Sequence, residues 1–527
     1  MKNTVKLLFF CIVVLINISS SEVLAAKNVR KVVLPHQFKL KGQAGVIENI
    51  EVKNLELTGA NLKNFIIDNC KFTTSSFQNA NMRNTKITKT DLFRLTMNNV
   101  DMNGSKLIDS EITKTIMKNA KMSYTYISGC EILASDFRSA NLTGSVITDT
   151  EINGVAFSGG NLSYARINSN FENVNLKNTD FHGSSIRNTD FSGTDFENAN
   201  FSGSCLDNVT FKANGDKLIK MQYSNFSYAV MKSVSLQSSD IRDAFLNGLY
   251  CENSFFNNSN LSNSLMNNSM QKNVVMKGCD LRYLEMKNSL IYEGDYSEAN
   301  LSGADFSNSN FEDSIFEEVV MENTIFKGCN FSDANFGETI VKGVSFNGAN
   351  LTGADFNDSK IVKSDFENAV LVDIIFNGSR IKDVDLTLKK LTGAVMKNVT
   401  LEKVDLSGAY LANVDLNGST LINCNLNGAN LSGANLKGCI IKQTSMNNII
   451  LSNADLKGTY FSRVSLVNAT MKNTSLKNVI FDKSDLNGSD LLEADVKGTK
   501  FVKTNTNNIK NITNTINLNK AEGLEIP

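Results

Sequence analysis

The stretch NCNLNGANLSGANLKGC, residues 423–439, decides the fold. Leu returns at 426, 431 and 436, Ala at 429 and 434, and Gly at 428, 433 and 438. The step is always five, which is neither the 3.6 of an α-helix nor the 2 of a flat strand. Working outward from Leu436, the large apolar position (here called the centre) recurs back to Phe171 and forward to Phe501. Ile167 to Phe171 is a step of four, and below it the same rule runs from Ile167 back to Ile47. Of 92 centres, 88 are Leu, Ile, Phe, Met or Val; the exceptions are Asp216, Cys251, Gln271 and Tyr296.

Two residues before each centre lies a column of small residues, such as Ala349, Ala354 and Ser359. Two residues after it lies a column rich in Gly and Asn, 42 of 67 positions between Asn173 and Lys503, and those two residues tolerate the positive φ of a type II turn. Each unit therefore reads as a short extended piece followed by a corner. The centre and the small residue two before it point the same way, because strand side chains alternate, and both face inward. Four corners close a square coil of about twenty residues, and stacked coils share backbone hydrogen bonds at about 4.8 Å. A large and a small side chain per face fill the narrow interior, and each buried centre contributes about 1.5–3 kcal/mol. No coil holds that burial without neighbours. The 92 centres predict about 23 coils, a rise of about 110 Å.

The run A-N-L-S-G, A-N-L-K-G resembles the pentapeptide-repeat family over most of the chain, and NLNKAEGLEI, residues 517–526, is similar to that family's closing L-x-x-A-x-G-L. The resemblance implies an all-β, right-handed quadrilateral β-helix; the spacing by itself gives only the square coil.

Residues 1–26 differ from the rest. Lys2 and Lys6 precede an apolar run from Leu7 to Ile18, and small residues around Ala25 suit cleavage, which is the layout of a secretory signal peptide. The run is too short for a transmembrane helix of about 20 residues, and no later stretch is long and apolar enough. Residues 27–46, with Val32-Val33-Leu34-Pro35-His36, read as an N-terminal arm or cap over the first coil. Residues 47–168 form a first β-helix segment and 169–503 a second, with the slip at 168–170 expected to shift or kink the stack. An irregular corner or loop is expected at 212–220, where Asp216 takes a centre position, and a fraying last coil and tail at 504–527.

Lys+Arg number 53 against 54 Asp+Glu, so net charge gives no reason to expect a nucleic-acid partner. His occurs only at His36 and His182, and neither has a spaced partner for a catalytic triad or zinc site. Cys70, Cys130, Cys279, Cys329, Cys424 and Cys439 fall in the small inward column, and no two are twenty apart, as direct stacking would need. They read as small buried apolar residues, whereas Cys205, just before a centre, reads as an exposed thiol. No catalytic residue, cofactor or metal ligand is expected.

Surface positions twenty apart stack on one face. Glu298, Glu318 and Glu338 share one column, and Glu293, Asp313 and Asp333 the adjacent one. Residues 293–338 hold eleven acids and one base, Lys327. They form either a docking surface for a basic partner or cation, or a solvated, salt-screened face. Lys437, Lys457, Lys477 and Lys497 share a column near the C-terminus, either a second docking surface or a device against sideways aggregation. Val230, Tyr250, Met270 and Leu290 put apolar residues where Asp or Asn is usual, either a partner or homodimer site or repeat drift partly covered by the Asp216 loop.

The reading that joins these features is an exported, bacterial, non-enzymatic repeat protein with a protein partner. The family resemblance supplies a rival, a DNA-mimicking inhibitor of DNA gyrase, which only the acidic band supports. A secreted factor acting on a host cell is the other.

Overall fold

The computed structural model describes residues 32–33, 45–215 and 218–524. The segment expected to direct export lies outside the described residues. The chain forms two compact units, Met1–Met266 and Asn267–Pro527.

In the first unit, three-residue strands stack in parallel at an offset of twenty. Lys106–Ile108 pairs with Tyr126–Ser128, which pairs with Val146–Thr148; on the next side, Asp91–Phe93, Glu111–Thr113 and Glu131–Leu133 form a second ladder. The other two sides are ladders of single bridges, as in Ser76–Thr96–Ile116 and Asn81–Asp101–Lys121. Centres and small residues alternate as buried positions around every coil, as the step of five requires. Val32–Val33 pairs in parallel with Leu55 and Glu56 of the first coil.

The slip of one residue is absorbed inside a single coil. Ile152 pairs with Phe171 and Arg166 with Ser185, each nineteen apart, and the ladder returns to twenty at Phe171–Phe191. Further on, Asp195 pairs with Lys220, Asn200 with Asn225, Cys205 with Val230 and Thr210 with Ser235, each twenty-five apart. The coil thus carries five residues more than its neighbours between Lys212 and Lys220, and because the surplus is a whole unit the phase of five continues beyond it. Asn214 folds back so that its Nδ2 donates to Asn173 Oδ1 at 2.6 Å. Asp216 lies outside the described residues.

In the second unit one ladder of strands runs from Val320–Glu322 through Thr420–Ile422 to Lys500–Val502 without a change of register. Its interior is stacked aromatic in its first half: Phe316, Phe336 and Phe356 lie face to face at 4.9 and 4.5 Å. Parallel stacking follows from the register, because identical positions of successive coils are superposed. Residues 504–522 add one more turn, with bridges Asn505–Asp485, Lys510–Asp490 and Glu522–Lys500. Two 3-10 turns, Ile512–Asn514 and Leu518–Lys520, replace regular corners, and Ile512 fills the inner position. Backbone bonding to the coil below outweighs the missing apolar centres. No helix among the described residues is long and apolar enough to cross a membrane.

Candidate functional site

Corners on the sides joined by single bridges share one build. The residue before the centre, so often Asp or Asn, caps the turn: Asp295 Oδ1 accepts from the Ser297 backbone N–H at 2.9 Å, and Asp355 Oδ1 from that of Asn357 at 2.8 Å. This is an Asx-turn, and it explains an enrichment that periodicity alone leaves without a cause. The residue two after the centre takes positive φ, whatever its type: Glu293 at 55°, Asp313 at 57°, Glu318 at 56°. Non-glycine residues there cost about 1–2 kcal/mol each against right-handed backbone, so bulky or charged side chains at these corners are held outward at some expense.

The two acidic columns lie on adjacent corners of the second unit. Glu293, Asp313, Asp333, Glu298, Glu318 and Glu338 are all exposed. Glu298 Oε1 is 2.9 Å from Lys277 Nζ, and that hydrogen bond holds the Lys277 ammonium above its ordinary range. The other five form no ion pair among the described residues. Elsewhere in the acidic band, bases reach in from adjoining coils: Lys287 Nζ lies 3.0 Å from Asp305 and Lys342 Nζ 2.8 Å from Glu322. The band is therefore less acidic than its linear sequence, and the uncompensated charge concentrates on the corner columns.

The lysine column is interleaved with carboxylates. Lys437 Nζ is 3.0 Å from Asp455, and Lys477 Nζ 3.1 Å from Asp495. Burial pushes both carboxyls up, but the hydrogen bonds of Lys437 to Asp455, and of Asn517 and Lys477 to Asp495, prevail and hold them below the ordinary value. Lys457 and Lys497 are exposed. Of the apolar four, Val230 and Tyr250 pair in the first unit and are half-buried. The Tyr250 hydroxyl donates to Glu252 Oε2 at 3.1 Å. Met270 and Leu290 pair in the second unit, 41% and 40% exposed. The described residues of the surplus pentad stand by Asn173, on a different edge from Val230, so they do not cover it.

The six inward cysteines and Cys251 are buried, and Cys205 is half-buried instead of exposed. Burial pushes Cys329 and Cys439 up to about 12 and Cys251 higher still. Among the described thiols, only Cys205 is expected to react with an aromatic disulfide reagent under native conditions. Cys205→Ser should remove that phase, and denaturant should release the others; a native titration of several thiols would contradict the buried column. No group of three or more His, Cys, Asp or Glu residues placed to hold a metal occurs among the described residues.

Family models described as a pentapeptide repeat region match residues 319–396 and 394–471. Models described as pentapeptide repeats (8 copies) match 56–92, 167–203, 175–212, 297–333 and 469–505. Together they cover more than half of the chain. Comparison with curated proteins gives no match. Among solved structures the chain is similar to HetL, a pentapeptide repeat protein involved in heterocyst differentiation regulation from the cyanobacterium Nostoc sp. strain PCC 7120. The identity is 20% over 54% of this chain and 91% of that one, with a TM-score of 0.20. It is also similar to full-length QnrB1, a plasmid-mediated fluoroquinolone resistance protein, at 20% identity over 36% and 92% of the two chains, TM-score 0.18. A third is the pentapeptide repeat protein Rfr23 from the cyanobacterium Cyanothece 51142, at 22% identity over 24% and 90%, TM-score 0.12.

Proposed function

The chain belongs to the pentapeptide-repeat family, and from that premise we propose that it is an exported, non-enzymatic scaffold whose outer columns recognise a protein partner. A filled interior leaves the surface as the working part. The observation that carries the reading is the pair of acidic columns in the second unit, where five of six corner carboxylates have no ion-pair partner among the described residues. Like charges repeated coil upon coil repel one another, by about 1 kcal/mol per close pair in water. A basic partner surface relieves that repulsion on docking and gains electrostatic steering. The N-terminal segment supports export, and the mature chain would meet its partner outside the cytoplasm.

The test combines fractionation with charge reversal. A C-terminally tagged chain is expected in the extracytoplasmic fraction. Cross-linking there should capture a basic protein in a salt-sensitive way, and Asp333→Lys/Glu318→Lys/Glu338→Lys should reduce capture by about tenfold or more, since charge pairs of this kind act mainly on association. A full-length chain retained in the cytosol sinks the export claim; capture that survives the triple reversal sinks the acidic surface. A gyrase supercoiling assay separates the DNA-mimic reading, which alone expects inhibition at micromolar chain.

A further inference from the structure

One corner column of the first unit departs from the Gly/Asn rule in a regular way. Following the backbone hydrogen bonds from coil to coil, it reads Tyr124, Gly144, Tyr164, Gly183, Gly203, Tyr228, Gly248. The three tyrosines hold φ of 57–59°, a conformation that Gly would adopt without strain. They are 73%, 60% and 74% exposed. Each lies across the glycine of the following coil: a Cβ at Gly144 or Gly183 would stand 2.7 Å from the ring of Tyr124 or Tyr164, and one at Gly248 would stand 2.5 Å from Tyr228. The glycines are therefore what let the rings lie down along the edge. Left-handed backbone is shared by corners throughout the chain; what sets this column apart is three exposed aromatic rings on one edge, each with a glycine beneath it.

The spacing selects the ligand. Tyr124 and Tyr164 are two coils apart, about 9.6 Å, and Tyr164 and Tyr228 three coils, about 14.4 Å. One coil is close to the advance of one sugar in a fully extended β-1,4-linked pyranose chain, so the rings repeat at whole numbers of sugars. The C–H faces of such pyranoses stack on aromatic rings. Charge agrees. The two rows beside the column, from Lys121 and Ser123 to Asn225 and Ser227, carry amides and hydroxyls apart from Lys121, His182 and one carboxylate, Asp180. Asp180 already accepts from Asn200 Nδ2 at 2.9 Å and the His182 backbone at 3.0 Å. His182 in turn meets the Tyr164 ring edge-on at 5.4 Å and fixes it. The opposite row holds one charge, Arg166, between Val146 and Ser185. A polyanion such as single-stranded nucleic acid would find no basic track here. Three rungs also fall well short of the roughly 800 Å² per partner that a stable dimer buries. Among the described residues of the surplus segment, Asn214 stands by Asn173, on a different edge from the tyrosines. The geometry points to a binding edge for an extended, uncharged β-1,4-linked polysaccharide, one sugar per coil, with Tyr124, Tyr164 and Tyr228 as its stacking rungs.

The chain has no Trp, so tyrosine emission reports binding directly. Titration of the full chain with cellohexaose and chitohexaose is expected to quench it, with affinity rising steeply from the trimer to the hexamer. Tyr164→Ala and Tyr228→Ala should each weaken binding about tenfold, the size of one aromatic stacking contact. Tyr283→Ala, the same local geometry over Gly303 but outside this column, should leave binding unchanged. All three substitutions are at exposed corners, and an unchanged circular dichroism spectrum shows that the coil is kept. No binding of either hexasaccharide at millimolar concentration overturns the proposal. So does binding indifferent to Tyr164→Ala and Tyr228→Ala, or oligothymidylate binding tighter than the sugars. A concentration-dependent dimer abolished by Tyr164→Ala would assign the edge to a second copy instead.

Discussion

Phe336→Ala is expected to cost about 3–5 kcal/mol, the range for truncating a fully buried aromatic residue, and to sit at the upper end of it. The ring is 0% exposed and lies between Phe316 and Phe356, face to face at 4.9 and 4.5 Å, with Phe331 edge-on at 5.1 Å. The backbone cannot close the gap. Coils above and below are held at the strand spacing by hydrogen bonds such as Phe336 N to Asp355 O at 2.6 Å, so the cavity remains. A solenoid is stabilised by neighbour contacts, and the damage should be local. Hydrogen exchange is expected to accelerate in the coils that contain Phe316, Phe336 and Phe356, while amides near Leu456 keep their protection. Phe501→Ala provides the contrast. That ring has one stacked neighbour, Phe481 at 5.3 Å, and should cost distinctly less. Equal losses at the two sites would mean that the stack adds nothing beyond ordinary burial.

The step of five made the interior legible because it fixes which side chains point inward. Leu426, Leu431 and Leu436 are each 0% exposed, and the left-handed column lies where Gly and Asn predicted it. The surface was legible only in part, because it depends on how side chains lean between coils. Columns twenty apart describe stacking of like positions. A recurring kind of ion pair instead joins the residue after one centre to the residue before a centre of the next coil, eighteen apart: Arg83–Asp101, Lys397–Asp415, Lys437–Asp455 and Lys477–Asp495. A lysine ladder read alone therefore looked more basic than it is. The tyrosine edge escaped for a related reason. Its signal is Tyr followed by Gly twenty residues later, and the slip and the surplus pentad turn the intervals Tyr164–Gly183 and Gly203–Tyr228 into nineteen and twenty-five. The closing coil carries little apolar signal, because Asn505, Lys510 and Glu522 are placed by backbone bridges to the coil beneath.

The exceptions to the repeat carry the second large effect. Gln271 and Tyr296 each break the rule that centres are apolar, yet they are 0% and 1% exposed. They are twenty-five residues apart, one coil and one corner, and that offset brings them together: the Tyr296 hydroxyl donates to Gln271 Oε1 at 3.2 Å. Gln271 Nε2 faces Ser269 Oγ at 3.3 Å. The Tyr296 ring begins the aromatic stack, lying flat on Phe316 at 5.0 Å. Removing one partner takes away a buried hydrogen bond that the other was making, so Tyr296→Phe and Gln271→Met should each cost about 1–3 kcal/mol. Removing both leaves an interior like that of the neighbouring coils. Gln271→Met/Tyr296→Phe is therefore expected to recover most of either loss, so that a double-mutant cycle read from denaturation midpoints gives a coupling at least as large as either single loss. The stacked ring survives in Tyr296→Phe, so that variant isolates the hydroxyl from the packing that Phe336→Ala probes. Strictly additive losses would show that the two side chains are satisfied independently and that their meeting in the core is incidental.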